Sequence, residues 1–189
     1  MADRSSTTPT IIALAGRRID AVDADVPRFP LVEAEHVARK LYRRFRQESV
    51  VRLICSAACG ADIIALEVAD KLAIPATVVL PFASSIFRRI SVADRPGDWG
   101  GRFDRLMAET RDRGDLVELS LDAGDKNAFA VANDRIIQIA STSGSYRRLA
   151  FVVWDGHARG HDDSTANFLS KALSCGFEKR SMLTKGRES

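Results

Sequence analysis

Short apolar runs alternate along this chain with longer segments whose apolar residues recur at helical spacing. The runs are continuous, as in IIALA and LAFVVW, and continuous runs are typical of strands that helices cover on both faces. The alternation therefore predicts repeated β–α units and a three-layer, Rossmann-like α/β domain with a mainly parallel sheet of order 3-2-1-4-5. The five predicted strands are Thr10 to Ala15, Val50 to Cys55, Ala76 to Leu80, Leu116 to Leu119 and Leu149 to Val153.

The segments between these strands predict the covering helices. Pro30 can open the first helix, whose apolar stripe runs from Leu31 to Phe45. The segment from Pro81 to Gly101 is rich in turn residues, which predicts a long loop with at most a helical turn. The other predicted helices are Ala61 to Ala73, Arg102 to Arg113, Lys126 to Ala140 and Asp163 to Leu173.

The length of 189 residues allows one substantial core. We therefore expect a single domain over residues 10–183, between a disordered leader (1–9) and a disordered tail (184–189). The net charge of +3 is too small for a chain that coats nucleic acid by charge alone. No apolar run has the length of a membrane span, and the first residues lack a secretory pattern. Three cysteines without a disulfide framework favour a reducing compartment, so we expect a cytoplasmic protein with no membrane partner.

In an open parallel sheet, ligands bind beyond the carboxyl ends of the strands, where loops enter helix N-termini. After the first strand, Gly16 permits close backbone approach, and Arg17 and Arg18 offer bidentate contacts to a phosphate. After the second strand, the small residues from Ser56 to Asp62 leave room for a phosphate or a ribose. Tight helix packing would explain these small residues equally well.

The end of the fifth strand offers a third group of candidates. Asp155 can accept hydrogen bonds from ribose hydroxyls, and Gly156 beside it allows close approach. Asp163, Ser164 and Thr165 stand at a predicted helix start, where they either cap the helix or bind a phosphate.

The predicted ligand-binding residues lie at these strand ends, in the long loop and on a late helix. The set is Gly16, Arg17, Arg18, Ser56, Gly60, Asp62, Phe82, Phe87, Trp99, Asn133, Asp155, Gly156, Asp163, Ser164 and Thr165. The three aromatic residues would stack on a base, and Asn133 would be a polar contact unless it is an ordinary helix-surface residue. We expect a nucleotide-derived small molecule as partner and no cofactor. A second copy of the chain and an effector encoded in the same operon are further partners left open.

Several short motifs occur in an order that resembles the SLOG superfamily, named after Smf/DprA and the Lonely Guy proteins. They are AGRRID, CSAACGADIIALEVA, VVLPF, ANDRIIQIA, and VVWDG before DDSTANF, and they span roughly residues 10–176. The resemblance is nearest to the bacterial branch with a Gly-His-Arg-like triplet after strand one and Trp-Asp-Gly after strand five. It implies a Rossmann-like fold that binds nucleotides or nucleotide-derived ligands, as a sensor in bacterial conflict or signalling systems or as an enzyme.

Two departures from that superfamily bear on catalysis. The Lonely Guy phosphoribohydrolases carry Pro-Gly-Gly-x-Gly-Thr-x-x-Glu, and here Phe168 stands at the position of the catalytic Glu. Arg17 stands where the nearest branch usually has His. We therefore favour binding or sensing over catalysis. The alternative is a nucleotide N-glycosidase in which Asp62 or Asp155 is the acid or nucleophile.

Two other groups of residues suggest different functions. A zinc set could be drawn from Cys55, Cys59, His157 and His161. The predicted strand order separates strands two and five by about 14 Å, too far for bonds of about 2 Å to one zinc ion, so we expect no metal. A basic helix face could instead contact single-stranded DNA, although most such runs are solvated faces. It consists of Arg39, Lys40, Arg43, Arg44 and Arg46.

Overall fold

A computed structural model describes residues 8–160 and 162–186. Within these residues, six strands form one sheet in the order β4-β3-β2-β1-β5-β6. All neighbouring strands pair in parallel, which requires crossover connections, and the helices supply them on both faces. The predicted three-layer α/β fold is therefore confirmed. The strands are β1 (Thr10–Gly16), β2 (Val50–Cys55), β3 (Ala76–Leu80), β4 (Leu116–Glu118), β5 (Arg147–Trp154) and β6 (Glu178–Leu183).

The helices of the described chain divide between the two faces of the sheet. Alternate residues of β1 show the division, because Ile12 packs in the cluster with α1, α2 and α4, and Ile11 packs in the cluster with α5 and α6. A short 3-10 turn (Leu31–Glu33) precedes the first helix. The α-helices are α1 (Ala34–Gln47), α2 (Ala61–Lys71), α3 (Ser84–Ser91), α4 (Trp99–Asp112), α5 (Ala128–Thr142) and α6 (Ser164–Ser174).

The predicted strand order 3-2-1-4-5 is wrong. β4 lies at the sheet edge beside β3, and β5 pairs directly with β1 along its whole length. The chain therefore crosses the sheet through α5, which contacts β1, β2 and β3 on its way from one edge to β5. The sixth strand was not predicted, because β6 is an edge strand with one buried apolar residue, Met182, and has no continuous apolar run.

The segment from Pro81 to Gly101 is not the predicted long loop. It contains α3, and α4 begins inside it at Trp99. Packing against α4 stabilises α3. The ring of Phe87 on α3 stacks on that of Phe103 on α4, with the ring centroids 6.0 Å apart. Trp99 is fully buried and donates its indole N–H to the carbonyl of Pro96 over 2.8 Å.

Both chain ends reach beyond the described residues. The predicted leader falls mostly outside them, as does the end of the predicted tail. Thr184, the first residue of that tail, is buried and donates its backbone N–H to the carbonyl of Trp154 over 2.9 Å. Hydrogen-bonded structure thus continues past residue 183. Among the helices described, none has the length and apolar content needed to cross a bilayer.

Candidate functional site

A cleft of about 1030 Å³ opens at the carboxyl ends of β1 and β2. The end of β1, from Leu14 to Gly16, lies in its floor, α5 and α6 form one wall, and the start of α2 with α3 forms the other. Its size and its place at the strand ends are those of a small-molecule site in an open α/β sheet. A smaller groove of about 630 Å³ lies between α1 and α2, away from the strand ends.

About half of the predicted ligand-binding residues line this cleft. Those that do are Gly16, Arg18, Ser56, Asp62, Phe87, Asn133, Ser164 and Thr165. Those that do not are Arg17, Gly60, Phe82, Trp99, Asp155, Gly156 and Asp163. The amide of Asn133 on α5 donates to the hydroxyl of Ser164 on α6 over 3.1 Å, so these two residues also join the helices of one wall.

Arg17 is buried, with 2% of its surface exposed. Its Nε donates to Asp155 over 2.8 Å, its Nη1 to Asp163 over 2.8 Å, and its Nη2 to the carbonyl of His157 over 2.5 Å. The structure therefore gives Arg17 buried ion pairs where the sequence suggested a phosphate contact.

The two aspartates that contact Arg17 have structural partners of their own. Asp155 also pairs with Arg28 over 2.5 Å. Burial raises the pKa of Asp155, but the hydrogen bond from Arg17 and the charges of Arg17 and Arg28 outweigh it, so the pKa lies below its ordinary value. Asp163 caps α6 by accepting the N–H groups of Thr165 and Ala166. Of the two readings given for Asp163, capping is confirmed.

Gly60 lies against the backbone that follows β1 and not against the cleft. Its φ is +110°, and a Cβ at this position would lie 2.7 Å from the carbonyl oxygen of Arg17 and 2.8 Å from the nitrogen of Ile19. Only glycine fits this crossing of two backbone segments. The close approach expected of Gly60 is thus an approach to protein.

Gly60→Ala should destabilise the fold by roughly 2 to 3 kcal/mol, because the backbone strain adds to the displacement of the segment around Ile19. Denaturant unfolding followed by circular dichroism measures this loss. Gly114→Ala is the matched control, since Gly114 also has a positive φ of +73° but no atom near its missing Cβ. Equal losses from the two variants would show that the contact with the β1 loop is unimportant.

Asp62, in the first turn of α2, is the most unusual polar residue of the cleft. It is 6% exposed, and its Oδ2 accepts the N–H of Ala58 over 3.2 Å. Its Oδ1 is buried and has no hydrogen-bond partner among the described residues. Burial raises the pKa of Asp62 to about 7, although the hydrogen bond from Ala58 and the charge of Arg18 act in the opposite direction.

The structure adds cleft residues that the sequence did not indicate. Phe129, in the first turn of α5, has 42% of its surface exposed and lies edge-on to Phe82, with the ring centroids 5.6 Å apart. Lys126 precedes the same helix and has no ion pair in the described part of the chain. Arg159 and Lys171 lie on the same wall, beside and on α6, and Lys171 pairs with Asp134 of α5.

Three of the four residues considered for zinc, Cys55, Cys59 and His157, lie among the described residues. Strands β2 and β5 have only β1 between them, so the predicted separation of three spacings was too large. Cys55 and Cys59 are both buried in the core. Within residues 8–160 and 162–186, no group of three or more His, Cys, Asp or Glu side chains is arranged to hold a metal ion. His161 lies outside the described residues.

No protein-family model matches this sequence, and no curated protein matches it. Among solved structures, the chain is similar to the X-ray structure of DNA processing protein A (DprA) from Streptococcus pneumoniae, with a TM-score of 0.53 and 14% sequence identity. The match covers 92% of this chain and 50% of the other, so this chain spans about half the length of that protein. At this identity the likeness establishes the fold, and it is the fold that the SLOG resemblance implies.

Proposed function

We propose that this chain binds a nucleotide-derived small molecule in the cleft at the carboxyl ends of β1 and β2, as the ligand-binding module of a sensor. The observation that carries the proposal is the start of α5, where the exposed ring of Phe129 and the ammonium group of Lys126, which has no ion pair among the described residues, line the same cleft. An aromatic face stacks on a nucleobase, and a cation binds a phosphate.

The charges around the cleft favour an anion on the α5 and α6 side. Asn127, the N-cap residue of α5, makes no side-chain capping bond, and helix N-termini attract anions. On the same side, burial and then the charge of Arg17 lower the pKa of Arg159. A bound phosphate would offset this crowding of positive charge.

Phe129→Ala should weaken nucleotide binding about tenfold or more, because stacking on an aromatic ring contributes about 1 to 3 kcal/mol per base. Calorimetric titration with nucleoside 5′-monophosphates and nicotinamide dinucleotides measures the affinity. Val131→Ala is the control, since Val131 lies on the same helix, is 41% exposed and does not line the cleft. Absence of binding to every probe would refute the proposed function. Unchanged affinity in Phe129→Ala would place the base elsewhere.

The titrated samples also test the glycosidase alternative. Asp62 lies in the cleft with a pKa of about 7, which suits a general acid, whereas Asp155 lies outside the cleft in ion pairs. Chromatography of the same samples detects released base. Turnover that is lost in Asp62→Asn would replace the binding function with N-glycosidic cleavage.

Binding of single-stranded DNA has less support from the geometry. The similar solved structure is named a DNA processing protein, but the basic face of α1 is not a uniform free surface. Lys40 is 3% exposed and donates to the carbonyl of Leu183, and Arg39 pairs with Glu35. An oligonucleotide titration with steep salt dependence would favour this third function over the proposed one.

A further inference from the structure

The two walls of the cleft differ in chemistry. The α5 and α6 side carries the exposed Phe129 ring and the cations Lys126 and Arg159. The α2 side carries the carboxylate of Asp62, whose Oδ1 is buried without a partner among the described residues. Buried carboxylate oxygens almost always accept a hydrogen bond, and no described residue supplies one to this atom.

The start of α2 offers few free donors to a phosphate. Two of its N–H groups already donate within the protein, that of Ala61 to the carbonyl of Arg17 over 3.1 Å and that of Ile63 to the carbonyl of Ala58 over 3.4 Å. The N–H of Ala58 donates to Asp62 itself. The carboxylate of Asp62 is an acceptor, which suits a hydroxyl and not a phosphate. Arg18 also lines the cleft, and its positive charge acts on Asp62.

The chemistry of a nucleotide fits this division. The base on C1′ and the phosphate on C5′ flank one edge of the ribose ring, and the 2′ and 3′ hydroxyls form the opposite edge. If the base lies on Phe129 and the phosphate near Lys126 and Arg159, the diol edge faces the other wall. That wall carries Asp62, and one carboxylate oxygen has two lone pairs, enough to accept from both hydroxyls.

We propose that Asp62 binds the ribose diol of the ligand and selects ribonucleotides over deoxyribonucleotides, an inference that rests on the proposed nucleotide-binding function. Asp62 is thus the specificity residue of the cleft. The raised pKa of its carboxyl fits this role. Burial without a hydrogen-bond donor disfavours the charged form, and the ribose hydroxyls would supply the missing donors when the ligand binds.

The test compares AMP, GMP, CMP and UMP with their 2′-deoxy counterparts by calorimetric titration. On the natural protein, the ribonucleotide should bind about tenfold or more tightly than its deoxy form, because the missing hydroxyl leaves a buried acceptor unpaired. In Asp62→Asn the ratio of ribonucleotide to deoxyribonucleotide affinity should fall to about threefold or less. Glu67→Gln makes the same chemical change on α2 outside the cleft and should keep the full preference.

The outcomes separate the two proposals. If none of the eight nucleotides binds, the proposed function fails and this inference fails with it. If nucleotides bind but the natural protein does not distinguish the ribo from the deoxy form, only the role of Asp62 is overturned. The same holds if Asp62→Asn keeps the full preference. The comparison on the natural protein needs no variant, so a folding defect in Asp62→Asn cannot hide the result.

Discussion

Replacing Arg17 with methionine should cost about 3 to 5 kcal/mol of stability, the loss expected when one partner of a buried ion pair is removed. Methionine keeps the length of the side chain but leaves the carboxylates of Asp155 and Asp163 without their main cation. Those carboxylates are 13% and 0% exposed, so water cannot replace the guanidinium. A loss of this size is a large part of the stability of an ordinary domain. Denaturant unfolding followed by circular dichroism measures it.

A matched control separates this effect from the removal of a surface charge. Arg105 pairs with Glu109, but its side chain is 47% exposed, so Arg105→Met should cost less than about 1 kcal/mol. If Arg17→Met also costs less than that, Asp155 and Asp163 find other partners and the buried ion pairs do not hold the loop after β5.

The same variant should change the response to acid. Burial raises the pKa values of Asp155 and Asp163, but their hydrogen bonds and the charge of Arg17 outweigh it, so both pKa values are lowered in the folded protein. A lowered folded pKa stabilises the protein above the unfolded value of about 4, and the contribution is lost as pH falls through the folded pKa. Arg17→Met should therefore show a weaker loss of stability below about pH 4 than the natural protein.

Asp62→Asn should raise stability by roughly 3 to 4 kcal/mol at pH 8, at about 1.4 kcal/mol per unit of pKa shift. The pKa of this carboxyl is about 7 when folded, chiefly because burial disfavours its charge. The folded protein thus holds a proton between about pH 4 and 7 that the unfolded chain has lost, and its stability falls as pH rises through this window. An amide cannot ionise, so the variant escapes this loss.

Thermal unfolding across pH 4 to 8 tests this expectation. The gap between variant and natural protein should grow up to about pH 7 and then level off. Arg18 is the charged group that opposes the shift, and the Cys55 thiol beside Asp62 has a pKa raised by burial, so it adds no charge here. A variant less stable than the natural protein at pH 8 would show that Oδ1 has a partner. A variant more stable but unable to select ribonucleotides would show that Asp62 trades stability for binding.

Local patterns predicted the strands better than their arrangement. β2 and β3 have the predicted ends, because β3 is buried throughout, β2 ends in three buried apolar residues, and polar or turn residues bound both strands. β6 was not predicted, since an edge strand exposes most of its side chains and carries no such run. The strand order depends on which face and edge each crossover reaches, and no short window of sequence contains that information.

The error in strand order also explains which site residues were not predicted. Gly16 ends the central strand β1, Ser56 and Asp62 follow the central strand β2, and all three line the cleft. Phe129 and Lys126 reach the cleft only because β4 lies at the far edge, so that α5 must cross over β3, β2 and β1. Asp155 follows β5 as expected, but its carboxylate pairs with the buried Arg17, the residue after β1.

The pairing of β1 with β5 has a consequence for synthesis of the chain. Arg17 and Asp155 are 138 residues apart in the sequence, and β1 lies between β2 and β5 in the sheet. Until β5 leaves the ribosome, one edge of an almost wholly apolar strand has no partner, and such edges invite pairing with other chains. The middle of this sheet is therefore completed only after β5 is made, and β5 protects the edge of β1 against aggregation.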